Sequence, residues 1–192
     1  MTRLFITGDT PVTMDDVTSG FNIGTNISND SRFNEMIGFT ETEVQTMLQE
    51  YQAVGWLRLP IPATMDLLKE WYNNYLFGEE AETAMFNSDM VLYFLNAAEA
   101  RTKLPLQLID QNIRIDYGKL RHLMAIDRRL NGNFSVLKSV IEEGEITSPI
   151  NPSFPLEQLL NRENFISLLY YFGLLSMAGT RDGSPRLRIP NR

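Results

Sequence analysis

The sequence predicts a mainly α-helical protein: a helical bundle, then a winged-helix-like segment ending in a β-hairpin, with one short strand near the N-terminus. Three observations carry this. Apolar residues recur at helical spacing behind recognisable caps from Phe39 to Gly144. The tail "NFISLLYYFGLLSMAGTRDGSPRLRI" runs helix, strand, polar turn, strand. The run Leu4–Thr7, closed by Gly8 and Pro11, has the compact apolar character of a buried strand.

Taken in order, the strand at Leu4–Thr7 needs a neighbour to pair its backbone groups, and the confident strands lie only at the two ends of the chain. Residues 8–30, rich in Gly, Asn, Asp, Ser and Thr, form a connector because these short side chains bond nearby backbone. "FTETEVQTMLQEY" opens with a capping box between Thr40 and Glu43 and a staple of Phe39 on Val44, and it lines Val44, Met47, Leu48 and Tyr51 along one face. A second helix follows Pro60 and Pro62, with Leu68, Trp71, Tyr72 and Tyr75 at the same spacing. Ser88 is placed to cap "SDMVLYFLNAAEAR", whose Val91, Leu92, Phe94, Leu95 and Ala98 make a broad apolar face. Asp116 is placed to cap "DYGKLRHLMAIDRRL", with Asn131 and Gly132 as its stop. "FSVLKSVIEEG" sets Val136, Leu137, Val140 and Ile141 on one side and ends at Gly144, free to enter the left-handed cap conformation. The last helix spans about Asn164 to Phe172, and the turn after it runs through Gly179, Asp182 and Gly183.

Composition narrows the functions. The 192 residues, 43% of them hydrophobic, suffice for one substantial core or two small modules. A net charge of -7 argues against a surface that tracks nucleic acid or anionic membrane throughout, so any basic site is local. The absence of cysteine excludes a disulfide framework and a thiolate nucleophile, and a single histidine, His122, excludes a histidine pair for zinc. A reducing, cytoplasmic setting is the expectation. With no signal-like start and no apolar window approaching ~18 residues, neither secretion nor a membrane span is expected.

No GxxxxGK[ST] phosphate loop and no convincing acidic residue followed by the Glu-x-Lys of a PD-(D/E)XK nuclease occurs, and no Ser-His-Asp arrangement can be assembled from sequence around the one histidine. His122, among Leu120, Leu123 and Met124, is structural or exposed. Asp15 and Asp16 have the chemistry to meet a hard cation but more readily begin a turn or helix. Glu79, Glu80 and Glu82, like Glu142, Glu143 and Glu145, are charge runs that fit solvated faces, while Trp56 and Trp71 fit core positions better than stacking platforms. The local basic feature is Arg181, Arg186, Arg188 and Arg192 against the lone Asp182, a candidate surface for DNA phosphates. The helix before it is apolar on nearly every side, unlike one that reads base edges.

Together, "FITGDTPVTMDDVTSGFNI", "FNEMIGFTETEV", "WYNNYLFG", "FNSDMVLYFL" and "LIDQNIRIDYGKL" resemble the bacterial AAA-ATPase-like family, whose longer members join a P-loop ATPase region to a C-terminal PD-(D/E)XK nuclease-like domain. The likeness covers nearly the whole chain. It implies that residues 1–30 end an ATPase core, 31–132 form a helical lid-like region and 133–192 a winged-helix-like region. The phosphate loop, the acidic magnesium-binding strand and the nuclease-like part would lie outside these residues. Thr7 would take the sensor position facing a γ-phosphate. ATP and magnesium are implied for a full-length relative and not for this chain, so ATPase activity is expected only with a P-loop core. The family has Gly and Arg at the positions of Asn74 and Leu76, and leucine cannot replace an arginine sensor. The implied role is that of a non-catalytic lid and winged-helix fragment that couples nucleotide state to a downstream domain. Its partner would be the missing ATPase core or another protein, and self-association would follow from an apolar face left by a missing sheet. The alternatives are a free-standing protein- or DNA-binding winged-helix module and a degenerate copy.

Overall fold

The computed structural model describes Val12–Thr13 and residues 25–101, 104–105, 107–109 and 131–191. They fall into two compact units, one from Asn29–Arg128 with Pro190–Arg192, the other from Met1–Ser28 with Arg129–Ile189.

The first unit begins with a 3-10 segment, Ser31–Met36, capped by the Asp30 carboxylate, which accepts from the Arg32 N–H. Helix α1, Glu41–Ala53, starts at the expected capping box: Thr40 Oγ1 accepts from the Glu43 N–H at 3.3 Å, and the Glu43 carboxylate accepts from the Thr40 N–H at 2.8 Å. Helix α2, Ile61–Tyr72, carries Pro62 in its first turn, where a proline forfeits no intrahelical bond. It stops sooner than the spacing predicts. Asn74 enters the left-handed region with φ 75°, and Tyr75 leaves the helix to pair with Met85 through two backbone hydrogen bonds of 3.1 and 2.8 Å. Helix α3, Ser88–Arg101, is capped by Asn87, whose Oδ1 accepts from the Met90 N–H at 3.1 Å, so the cap lies one residue before the expected Ser88.

The three helices meet in a core of Val44 and Leu48 from α1, Leu68 and Tyr72 from α2, and Val91, Phe94, Leu95 and Ala98 from α3, all at most 1% exposed. Phe39, Met47, Tyr51 and Trp71 pack on its margin. Leu92, expected inside, is 46% exposed because at about 100° per residue it falls on the flank of the face that Val91, Phe94, Leu95 and Ala98 turn to the core.

In the second unit, helix α4, Asn131–Glu143, includes the residues expected to stop a preceding helix. Val136 and Val140 are buried, Leu137 is half-buried, and Ile141 is 72% exposed. Gly144, at φ 78°, ends the helix as expected. Strand β2, Glu145–Thr147, follows at once, in what the sequence presents as the end of a charge run. Strand β3, Phe154–Pro155, pairs in parallel with β1, Val12–Thr13, so part of the expected connector is strand. Leu4–Thr7 lies outside the described residues. Helix α5, Arg162–Tyr171, is capped by Asn161 Oδ1 and buries every residue from Asn164 to Tyr170. Strands β4, Ser176–Arg181, and β5, Ser184–Arg188, form the expected hairpin. Its connection is the two residues Asp182 and Gly183, both at positive φ (51° and 77°), the conformation whose twist suits a two-residue hairpin. Gly179 lies within β4 at a break in register rather than in the turn. Strand β5 is central, with β2 and β4 antiparallel on its two sides.

Candidate functional site

The arginine-bearing hairpin is the strongest concentration of functional groups predicted from sequence that falls among the described residues. The alternation of β5 decides which way it faces: Pro185 and Leu187 are buried, so Arg186 and Arg188 stand on the opposite side. On β2, Glu145 is directly opposite Arg188 and Thr147 is opposite Arg186. This register brings Glu145 to the arginines. One carboxylate oxygen accepts from Arg186 Nη2 at 2.9 Å, and the other lies 3.6 Å from Arg181 Nη1. Glu145 and Arg186 are about one-third exposed (33% and 34%) and Arg181 is 62% exposed, so solvent screens the second pair more than the first. Arg186 Nε is buried and meets no acceptor among the described residues. Arg188 is exposed, with no ion pair among the described residues.

The sequence reading brought the three arginines together and missed the carboxylate between them. The available signal was short: Gly144 closes a helix, and Glu-Ile-Thr then alternates with only Ile146 buried. Glu142 and Glu143, by contrast, are exposed on α4, with Glu142 near Lys138 at 3.7 Å.

The segment that the family resemblance marks at Asn74 and Leu76 is held as a fixed loop. Asn34, 4% exposed, accepts from the Phe77 N–H through Oδ1 and donates from Nδ2 to the Thr83 carbonyl. Ser31 Oγ accepts from the Glu80 N–H, and Gly78 lies so close to Ser31 that a Cβ there would sit 2.8 Å from its Cα. The buried Tyr75 hydroxyl accepts from Asn191 Nδ2 at 3.1 Å; burial raises its pKa, and its bonds to Asn191 and Asn87 partly oppose that rise. Tyr72 donates to the Leu108 carbonyl, and burial, with the nearby Tyr93, drives its pKa well above the ordinary phenol value. Glu79, Glu80 and Glu82 are exposed at the loop tip, consistent with a solvated run.

Trp71 borders the core, whereas Trp56 is 43% exposed and meets Tyr51 edge-on at 5.3 Å. Thr7, Asp15, Asp16, His122 and Arg192 lie outside the described residues. Among the described residues, no three His, Cys, Asp or Glu side chains gather to hold a metal, and no helix is long and apolar enough to cross a membrane. Comparison with known proteins finds no matching family model, no matching curated protein and no matching solved structure.

Proposed function

We propose that this chain is a non-catalytic coupling module: a lid-like helical unit and a winged-helix unit that act with an AAA-ATPase-like core, passing its nucleotide state to a further domain. The observation that carries the reading is the order of the second unit. Helix α4, β2, the two-residue β3, a 3-10 turn at Leu156–Leu160, α5, then the β4–β5 hairpin, with β5 between β2 and β4, supports a winged helix, to whose usual succession β3 is an addition. The positive φ of Asn74, at a position where the resembled family carries glycine, supports the likeness in the first unit, since glycine takes that conformation freely and asparagine tolerates it. Leu76 leaves this lid without the family's arginine, so its coupling works through packing rather than through a direct phosphate contact.

The test is a phosphate-release assay on the purified chain with ATP and magnesium. We expect no turnover above the buffer rate. Magnesium-dependent turnover overturns the reading.

A second reading, in which the module binds DNA, is favoured by the outward-facing arginines. The burial of α5 from Asn164 to Tyr170 removes the helix that would enter a major groove, so such binding would run through the hairpin and would not select sequence.

A further inference from the structure

We infer that Glu145 is a built-in stand-in for a phosphate, masking on the hairpin a contact surface for a nucleic-acid backbone that is exposed when the carboxylate is neutralised or displaced. The inference rests on the second reading above and adds to it the element that controls it.

Guanidinium forks are matched to anions with two oxygens, carboxylate and phosphate alike. Glu145 uses both oxygens, one toward Arg186 at 2.9 Å and one toward Arg181 at 3.6 Å, and so occupies the position between two arginines that a backbone phosphate would take. The three residues come from different strands, β2, β4 and β5, so the bridge is set by sheet register rather than by chance meetings of flexible side chains on one helix. The arrangement is incomplete as an internal ion pair. Arg186 Nε is buried without an acceptor among the described residues, and Arg188, opposite Glu145 in the register, receives no ion pair from it. Arg186 is thus anchored by one hydrogen bond to Glu145, and the cluster keeps donor capacity in excess of what one carboxylate uses. The hairpin's own acid, Asp182, lies in the turn at φ 51° and forms no ion pair with the three arginines among the described residues. Because α5 is buried, the ligand chemistry this face suits is the repeating phosphate of a nucleic acid rather than base edges.

The experiment measures binding of the full chain to a short fluorescein-labelled DNA duplex by anisotropy, from about 20 to 200 mM salt, for wild type, Glu145→Gln and Glu145→Gln with Arg186→Glu. Each phosphate neutralised contributes roughly -0.9 to the slope of log affinity against log salt. With Arg188 alone available, the wild type should show a slope near about -0.9, and Glu145→Gln, with three arginines available, near about -2.7. At the lowest salt the single variant should bind at least ~10-fold tighter, and adding Arg186→Glu should remove that gain. Equal, measurable binding by wild type and Glu145→Gln overturns the mask but leaves the hairpin as a DNA surface. No binding by either overturns both. A gain on phosphatidylserine-containing vesicles with none on the duplex overturns the choice of nucleic acid. Dichroism checks the fold of Glu145→Gln. If it unfolds, Glu145→Asp is measured instead, where a carboxylate one methylene shorter should give a slope between the two values, and an unchanged slope overturns the mask.

Discussion

At the scale of single residues, backbone conformation and proton affinity yield the sharpest expectations. Asn74 holds φ 75°, where a β-branched side chain crowds the following carbonyl. Asn74→Val should therefore lose about 1–2 kcal/mol in a denaturant titration, while Asn74→Gly stays within roughly 0.5 kcal/mol of wild type. The Glu43 carboxyl sits below its ordinary pKa, chiefly because it accepts from the Thr40 N–H and also from the Thr40 hydroxyl. A depressed acid stabilises the fold above its unfolded pKa of 4.5 and ceases to as pH falls through the folded value. Thr40→Ala should cost about 1 kcal/mol at neutral pH, and that cost should shrink in acid, as melting curves across pH would show. Burial raises the pKa of Tyr72 and Tyr75, so their contribution has the opposite sense, present below pH 10.0 and lost as pH rises through the folded values. Of the seven tyrosines, these two should resist ionisation in an ultraviolet absorbance titration until the helical unit unfolds. Ordinary titration of all seven in the folded protein would refute this.

At the scale of elements, what sequence made legible was what is decided locally. Thr40 and Glu43 are three residues apart and form their box without help from the rest of the fold. Asp182-Gly183 supplies the positive φ angles of a hairpin by its own chemistry. The errors arise where distant chain decides. The periodicity from Leu68 to Tyr75 continues past the end of α2 because Tyr75 is buried outside the helix, in a backbone bridge with Met85. Strand β2 has three residues, too few for alternation to announce it, and β1 has two, defined only by Phe154 and Pro155 far along the chain. For the candidate site the same division holds. The arginines were visible as a basic tail, but the meeting of Glu145 with them depends on a sheet register that no local pattern encodes. Two glycines test the distinction between conformation and space. Gly144 has a φ of 78° with open space where a Cβ would go, so Gly144→Ala should cost only about 1 kcal/mol. Gly78 has ordinary φ but would place a Cβ 2.5 Å from Ser31 Oγ and 2.9 Å from its backbone nitrogen. Gly78→Ala should cost up to about 3 kcal/mol and expose the Phe77 and Glu80 amides to hydrogen exchange. Equal costs for the two would mean that the contact with Ser31 does not fix the loop.

At the scale of the whole molecule, each unit has its own core, Phe94 and its neighbours in one, Phe165, Ile166 and Leu169 in the other. Both tryptophans, Trp56 and Trp71, belong to the first, so their fluorescence reports on that unit. Phe94→Ala should remove about 3–5 kcal/mol and shift the tryptophan-detected transition to markedly lower denaturant. Failure of that transition to move would contradict the assignment of Phe94 to this core. The first unit is also discontinuous in sequence, since Asn191 reaches Tyr75 from 116 positions further along the chain. A chain made from its N-terminus on a ribosome presents Tyr75 long before its partner is synthesised. The helical core can then assemble with that phenol bonded to Asn87 alone, and the Asn191 bond is added last, as a closing stitch rather than a seed of folding.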